Sequence, residues 1–166
     1  MNSFTVATPV GPFTVLASGD AVLAAGFTDR VDDLVPLVHP RLRGAADADV
    51  DVIAKAVTEY FEGDLTALDP VPVRQDTDGE FLGHAWRVLR SVPPGAPVTY
   101  TEFAALAGRP AAVRAAAQAC ARNAAALFVP CHRVIGRDGG LAGYRWGVDV
   151  KRWLLRHEAD ATPPRG

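Results

Sequence analysis

A chain of 166 residues with 49% apolar and 22% charged residues holds one domain of ordinary size or two small ones, a normal globular mixture that argues against disorder and low complexity beyond the termini. No apolar run approaches the roughly 20 residues that cross a bilayer, and the start MNSFTVATPVGPF has neither a basic nor an apolar leader region, so a cytoplasmic protein with no membrane partner is expected. The net charge of −2 hides a split, because residues 1–80 carry 5 Lys+Arg against 14 Asp+Glu while residues 81–166 carry 12 against 5.

That split has two readings: the basic half faces an anionic partner such as nucleic acid, or the two halves attract one another. Along the chain, the first 30 residues read as short strands, broken by Pro9-Val10-Gly11-Pro12 and by Ser18-Gly19-Asp20, which is hairpin punctuation. Val50, Ile53, Ala54, Val57, Tyr60 and Phe61 then recur at helical spacing, with Gly63 as the closing cap. The proline- and acid-rich stretch LDPVPVRQDTDGE marks a domain boundary, where the charge sign also changes. Beyond it, Phe81, Ala85, Trp86, Leu89 and Val92 form one helical face, stopped by Pro93-Pro94-Gly95. Thr99 or Thr101 caps a short helix through Phe103 to Ala107, ended by Gly108, and Pro110 stands where a second helix, AAVRAAAQACARN, is expected to begin. This is a helix-turn-helix candidate whose second helix fits a DNA groove, or else a plain helical hairpin. Its surface is almost bare of bulk, with alanine at 111, 112, 115, 116, 117, 119 and 121 around the single long cation Arg114.

The chemistry concentrates in 129-VPCHRVIGRDGGLAGYRWG-147, which holds Cys131, one of two cysteines, beside His132 and Arg133. A metal site fails on count and spacing: adjacent residues rarely ligate one ion, and the remaining candidates are Cys120 and three scattered histidines. No metal and no cofactor are expected. A cysteine nucleophile needs a base and a group that orients the base. His132 is the candidate base, and the C-terminal helical segment DVKRWLLRHE offers Asp149 or Glu158 as the carboxylate, between which periodicity does not choose.

Val129-Pro130-Cys131-His132-Arg133-Val134, preceded by Asn123 and followed by Gly143-Tyr144-Arg145-Trp146-Gly147, then Lys151 and Leu154-Leu155, resembles the signature of the O6-alkylguanine-DNA alkyltransferases, the methylated-DNA–protein-cysteine methyltransferases. The resemblance runs from Phe81 to Glu158, and the Thr8-Pro9-Val10-Gly11-Pro12 turn also fits. It implies direct-reversal DNA repair: irreversible, single-turnover transfer of the alkyl group of O6-alkylguanine, and of O4-alkylthymine, to Cys131. It further implies that His132 takes the thiol proton through a water, that Glu158 orients the imidazole and that Asn123 braces the turn. Arg114 matches the finger that fills the gap left by a flipped base, with Ala115 beside it on the DNA-facing helix. Tyr100 matches the residue that assists flipping and donates a proton to the departing base. Tyr144 matches a wall of the base pocket, Val134 supplies a carbonyl for the exocyclic amine, and Arg145 and Trp146 adjoin the pocket. The implied partner is double-stranded DNA carrying O6-alkylguanine, gripped through the minor groove by a monomer.

The implied fold is an α/β N-terminal domain with a small antiparallel sheet, RNase H-like, over 1–75. A mainly α, winged-helix-like domain with the helix-turn-helix follows over 76–160, then a flexible tail over 161–166. Two departures stand out: Ala115-Ala116-Ala117 follows Arg114 where relatives often have glycine, and Asn123 is followed by Ala124 where they often have proline. The N-terminal zinc site of some relatives is not expected, since residues 1–80 hold no cysteine and one histidine, His39. Cys120 reads as a small apolar residue, Trp86 and Trp153 as core, and Arg133 as either structural or a phosphate contact. The alternative function is a non-enzymatic, alkylguanine-sensing DNA-binding protein of the alkyltransferase-like type, against which Cys131 argues directly. A plain helix-turn-helix regulator leaves Asn123 and Glu158 without a purpose.

Overall fold

The computed structural model describes residues 1–43 and 46–161, so all of the expected tail except Ala161 lies outside the described residues. The described chain divides into two compact units, Met1–Asp78 with Ala124–Phe128, and Gly79–Asn123 with Val129 onward.

The first unit is built on a three-stranded antiparallel meander, β1 (Asn2–Thr8), β2 (Gly11–Ser18) and β3 (Ala21–Gly26), in that order. The expected turns are where the punctuation put them. Gly11 sits at φ +104° and Gly19 at φ +61°, left-handed values that a side chain disfavours. The Thr8 hydroxyl accepts from Val10 N at 3.2 Å and donates to Gly11 O at 2.6 Å, closing the first turn. β1 alternates between half-buried and exposed positions, as an edge strand with one wet face does, whereas β2 from Phe13 and all of β3 are buried. The outer edge of β3 is not left open: Val22 pairs with Val73 and Ala25 with Ala125. Ala25 N donates to Ala124 O at 2.9 Å, and Ala126 N to Ala25 O at 3.1 Å.

Helix α1 (Val50–Phe61) has the expected bounds; the Asp49 carboxylate accepts from Asp51 N at its start, and Gly63 at φ +112° follows its end. It buries Ile53, Ala56, Val57 and Tyr60, packing against β1. Phe13 lies 4.8 Å from Phe27 and 6.4 Å from Phe128, ring centre to ring centre, which extends an aromatic core under the sheet.

The second unit is mainly helical. Helix α2 (Glu80–Leu89) buries Ala85, Trp86 and Leu89, three of the face residues expected of it. The two-residue strand β4 (Val98–Thr99) leads into α3 (Tyr100–Leu106), whose start is a capping box: Glu102 N donates to the Thr99 hydroxyl at 3.1 Å and Thr99 N to the Glu102 carboxylate at 3.0 Å. Helix α4 (Val113–Ala121) begins three residues later than the proline suggested. Ala112 N donates to Arg109 O at 2.9 Å, so Pro110 occupies the second corner of a turn, a position its fixed φ suits as well as a helix start. Trp86 is buried and its indole N–H donates to Ala119 O at 3.0 Å, tying α2 to α4. The strand β5 (Val134–Ile135) pairs parallel with β4, and α5 (Val148–Ala161) closes the unit. Trp153, expected in the core, is half-buried and stacks on His157 with ring centres 4.8 Å apart. No helix is long and apolar enough to cross a membrane among the described residues.

Candidate active site

Cys131 lies in a single 3₁₀ turn, Cys131–Arg133, between Pro130 and β5. Three bonds set this turn. Cys131 N donates to Val129 O at 2.8 Å, Arg133 N to Pro130 O at 3.0 Å, and the buried Asn123 amide to Val129 O at 2.7 Å. The Asn123 side chain also favours the ionised form of the Cys131 sulfur. Burial pushes the thiol's pKa up, against Asn123 and the nearby cations Lys151 and Arg145, so the resting group is a thiol that needs a base.

The base candidate is beside it. His132 is fully buried, and its Nε2 is 2.8 Å from Glu158 Oε2, while Nδ1 is buried with no hydrogen-bond partner among the described residues. A carboxylate only accepts, so the proton sits on Nε2 and Nδ1 holds the lone pair, a tautomer assigned from this bond. Burial lowers the imidazole's pKa, outweighing the pull of Glu158, and Arg133 and Lys151 lower it further. Burial alone would raise Glu158; its pairing with His132, by hydrogen bond and by charge once that ring is protonated, and with Arg133 wins, and holds its carboxyl well below the usual carboxylate range. Because burial keeps His132 neutral, the lasting cation beside that carboxylate is Arg133.

The two carboxylates the sequence left open are thereby separated: Asp149 is exposed and pairs with Arg152 at 2.8 Å, whereas Glu158 is buried against the turn. Arg133 is separated too. It is buried, donating Nε to Glu158 Oε1 at 2.9 Å, Nη2 to Oε2 at 3.0 Å and Nη1 to Val92 O at 2.8 Å. With every nitrogen spent on the protein interior, the phosphate-contact reading drops out.

Lys151, noted in the sequence only as part of the signature, is 1% exposed. Its Nζ donates to Val134 O at 2.7 Å, Leu141 O at 2.6 Å and Gly143 O at 3.3 Å, which satisfies all three ammonium protons and anchors the loop 136–147 on α5. Val134 is fully buried, and the carbonyl expected to meet a base amine already accepts from this lysine, leaving its second lone pair. Tyr144 presents a buried hydroxyl with no partner among the described residues. Arg145 is exposed and donates to Ala121 O, and Trp146 is half-buried. At the start of α3, Tyr100 is half-buried; burial, with Cys120 and Cys131 nearby, pushes its phenol up to about 12, so it remains a proton donor at neutral pH. Arg114 stands exposed in the first turn of α4 with no bond or ion pair among the described residues, next to a half-buried Ala115. Cys120 is half-buried on the same helix.

Residues 80–160 match the family model described as 6-O-methylguanine DNA methyltransferase, DNA binding domain. The whole chain is 37% identical to the methylated-DNA–protein-cysteine methyltransferase of Salmonella typhimurium, an alignment that covers 92% of each chain. It is 51% identical to the bifunctional transcriptional activator/DNA repair enzyme Ada of Escherichia coli over 91% of this chain and 43% of that protein. Among solved structures, that of Mycobacterium tuberculosis OGT in complex with DNA superposes with a TM-score of 0.79 at 31% identity, covering 97% of this chain and 94% of that one.

Proposed function

The chain belongs to the methylated-DNA–protein-cysteine methyltransferase family, and on that premise we propose a residue-level account of how it repairs DNA by direct reversal. DNA is its partner, and the reaction moves an alkyl group from DNA to a cysteine. In our reading the acceptor is Cys131 and the substrate is O6-alkylguanine, with O4-alkylthymine as a second target. The duplex is held through its minor groove by one copy of the chain. The finer fold labels, an RNase H-like first unit and a winged-helix-like second, belong to the same proposal.

The observation that carries the reading is the His132 ring. One nitrogen is fixed on Glu158, and the other is buried with a free lone pair, one residue from a buried thiol. Through a water, Nδ1 takes the thiol proton. The thiolate then attacks the alkyl carbon, forming a C–S bond as the C–O6 bond breaks and its electron pair leaves with guanine. Tyr100 donates a proton to the departing base. The thioether is stable, so each molecule reacts once.

The remaining residues handle DNA. Arg114 on a helix of small side chains enters the stack in place of the flipped nucleotide, and Ala115 allows the backbone to approach. Tyr144 walls the base pocket with Arg145 and Trp146 beside it, and Val134 O accepts from the exocyclic amine.

Mass measurement after mixing with an oligonucleotide containing O6-methylguanine tests the account. One methyl group is gained stoichiometrically, Cys131→Ser gains none while still binding, and Arg114→Ala slows transfer from duplex far more than from free O6-benzylguanine. Binding without mass gain in the wild type would replace repair by the alkylguanine-sensing, non-enzymatic alternative.

A further inference from the structure

Glu158 is shared in a way that a base-orienting carboxylate alone does not require. Its Oε2 accepts from both His132 Nε2 at 2.8 Å and Arg133 Nη2 at 3.0 Å, while Oε1 accepts from Arg133 Nε at 2.9 Å. The guanidinium is fixed from behind by Val92 O at 2.8 Å. A bidentate guanidinium neutralises a carboxylate more completely than a neutral imidazole does.

We infer that Arg133 is a positioning residue for the transfer reaction: by occupying both oxygens of Glu158, it cancels the carboxylate charge and, together with burial, keeps the His132 ring uncharged, with Nδ1 open, until the thiol proton arrives. This rests on reading His132 as the proton acceptor for Cys131. The charged groups facing the ring are Glu158 and Lys151 on α5 and Arg133 on its own turn. With Arg133 and Lys151 positive and Glu158 negative, a resting imidazolium would bring this buried cluster to a net +2. An imidazolium formed together with the Cys131 thiolate adds no net charge. The proton therefore moves only as the thiolate is made and used, and a nucleophile that acts once is not left ionised between encounters. Without Arg133, Glu158 would face the imidazole as an uncancelled anion and raise its proton affinity against the burial that lowers it.

The test is the pH profile of single-turnover transfer from an O6-methylguanine duplex for wild type, Arg133→Met and Arg133→Lys. In Arg133→Met the acid limb moves to higher pH by about one unit or more, so that on the limb the variant is about tenfold slower relative to its own alkaline plateau. Arg133→Lys, which keeps the charge, returns the limb toward wild type. A limb that stays in place, with a rate loss uniform across pH, would show that Arg133 only holds the turn and would overturn the inference. Nitrogen-15 shifts of the His132 ring in the unmutated protein keep the inference open to refutation even if Arg133→Met does not fold. A neutral, Nε2-protonated ring at pH 7 is expected, and an imidazolium there defeats the inference. His132→Gln separates the two layers: wild-type transfer by that variant removes the proton-acceptor reading itself, whereas slow transfer by it with an unmoved limb in Arg133→Met removes only the role of Arg133.

Discussion

The two units bury different kinds of polarity. Among the described residues, the buried polar side chains of the first are Thr14 and Ser18; those of the second are Asn123, His132, Arg133, Lys151 and Glu158. The hydroxyls of the first unit are satisfied locally: Thr14 donates to Thr28 O at 2.6 Å and lies 2.8 Å from the Thr5 hydroxyl across the strand pair, and Ser18 donates to Ala46 O at 3.0 Å. The second unit places three formal charges and an imidazole in its interior, at a desolvation cost that an apolar core would avoid. A fold that needed only stability would resemble the first unit throughout. On the proposed transfer to Cys131, the ionic interior has a chemical use that the aromatic interior of the first unit lacks.

That contrast breaks most sharply at Glu158. Glu158→Gln removes the anion between His132 and Arg133, and the transfer rate is expected to fall by roughly 10²–10⁴-fold, the range of a lost acid–base contribution. Single-turnover kinetics measure the rate. Denaturant unfolding adds a stability loss of about 3–5 kcal/mol, because Arg133 is left buried without its counter-charge. Phe13→Ala in the first unit should cost a comparable 3–5 kcal/mol in the same unfolding experiment, yet leave the rate per folded molecule unchanged. A Phe13→Ala protein that unfolds normally but transfers slowly would erase the distinction.

Acid sharpens the comparison further. Both His132 and Glu158 have folded pKa values below their unfolded ones, so each binds more protons when unfolded, and stability rises with pH wherever that holds. The His132 contribution is full above an unfolded pKa of about 6.5 and the Glu158 contribution above about 4.3, and each is lost as pH falls through the folded value. Thermal unfolding between pH 8 and pH 4 should show this loss in wild type, and a flatter curve in His132→Gln. Identical curves would place the acid sensitivity elsewhere. The smallest effect belongs to Thr14→Val, expected at about 0.5–1.5 kcal/mol by denaturant titration, since one neutral hydroxyl network is exchanged for a methyl group of similar shape.

Legibility in the sequence followed the range of the interaction. The hairpin turns and the bounds of α1 rest on neighbours a few residues apart, and so does the cap of α3, although there the sequence left Thr99 and Thr101 open until the Glu102 bond chose between them. The start of α4 was misplaced because a proline at a turn corner and a proline in a first helical turn look alike in sequence. β4 and β5, two residues each, carry no periodicity at all, and their pairing joins Val98 to Val134. The thiol, imidazole and carboxylate were legible through the family signature. The guanidinium's pairing was not, because its partner Glu158 stands 25 residues away. Nor was the anchoring by Lys151, whose partners are backbone carbonyls with no sequence identity of their own.

One connection has a practical consequence. Residues Ala124–Phe128, a fully buried apolar run, hydrogen-bond to β3 in the first unit, and Val129 then resumes the second just ahead of the reactive turn. The segment that matches the DNA-binding family model is therefore expected to fold poorly when cut out of the chain. Expressed alone, residues 80–160 would carry five apolar residues cut off from the strand they pair with, in a form that invites aggregation. The acidic N-terminal part is thus a folding partner of the reactive part, and fusion or truncation designs that discard it should keep a substitute strand for Ala124–Phe128.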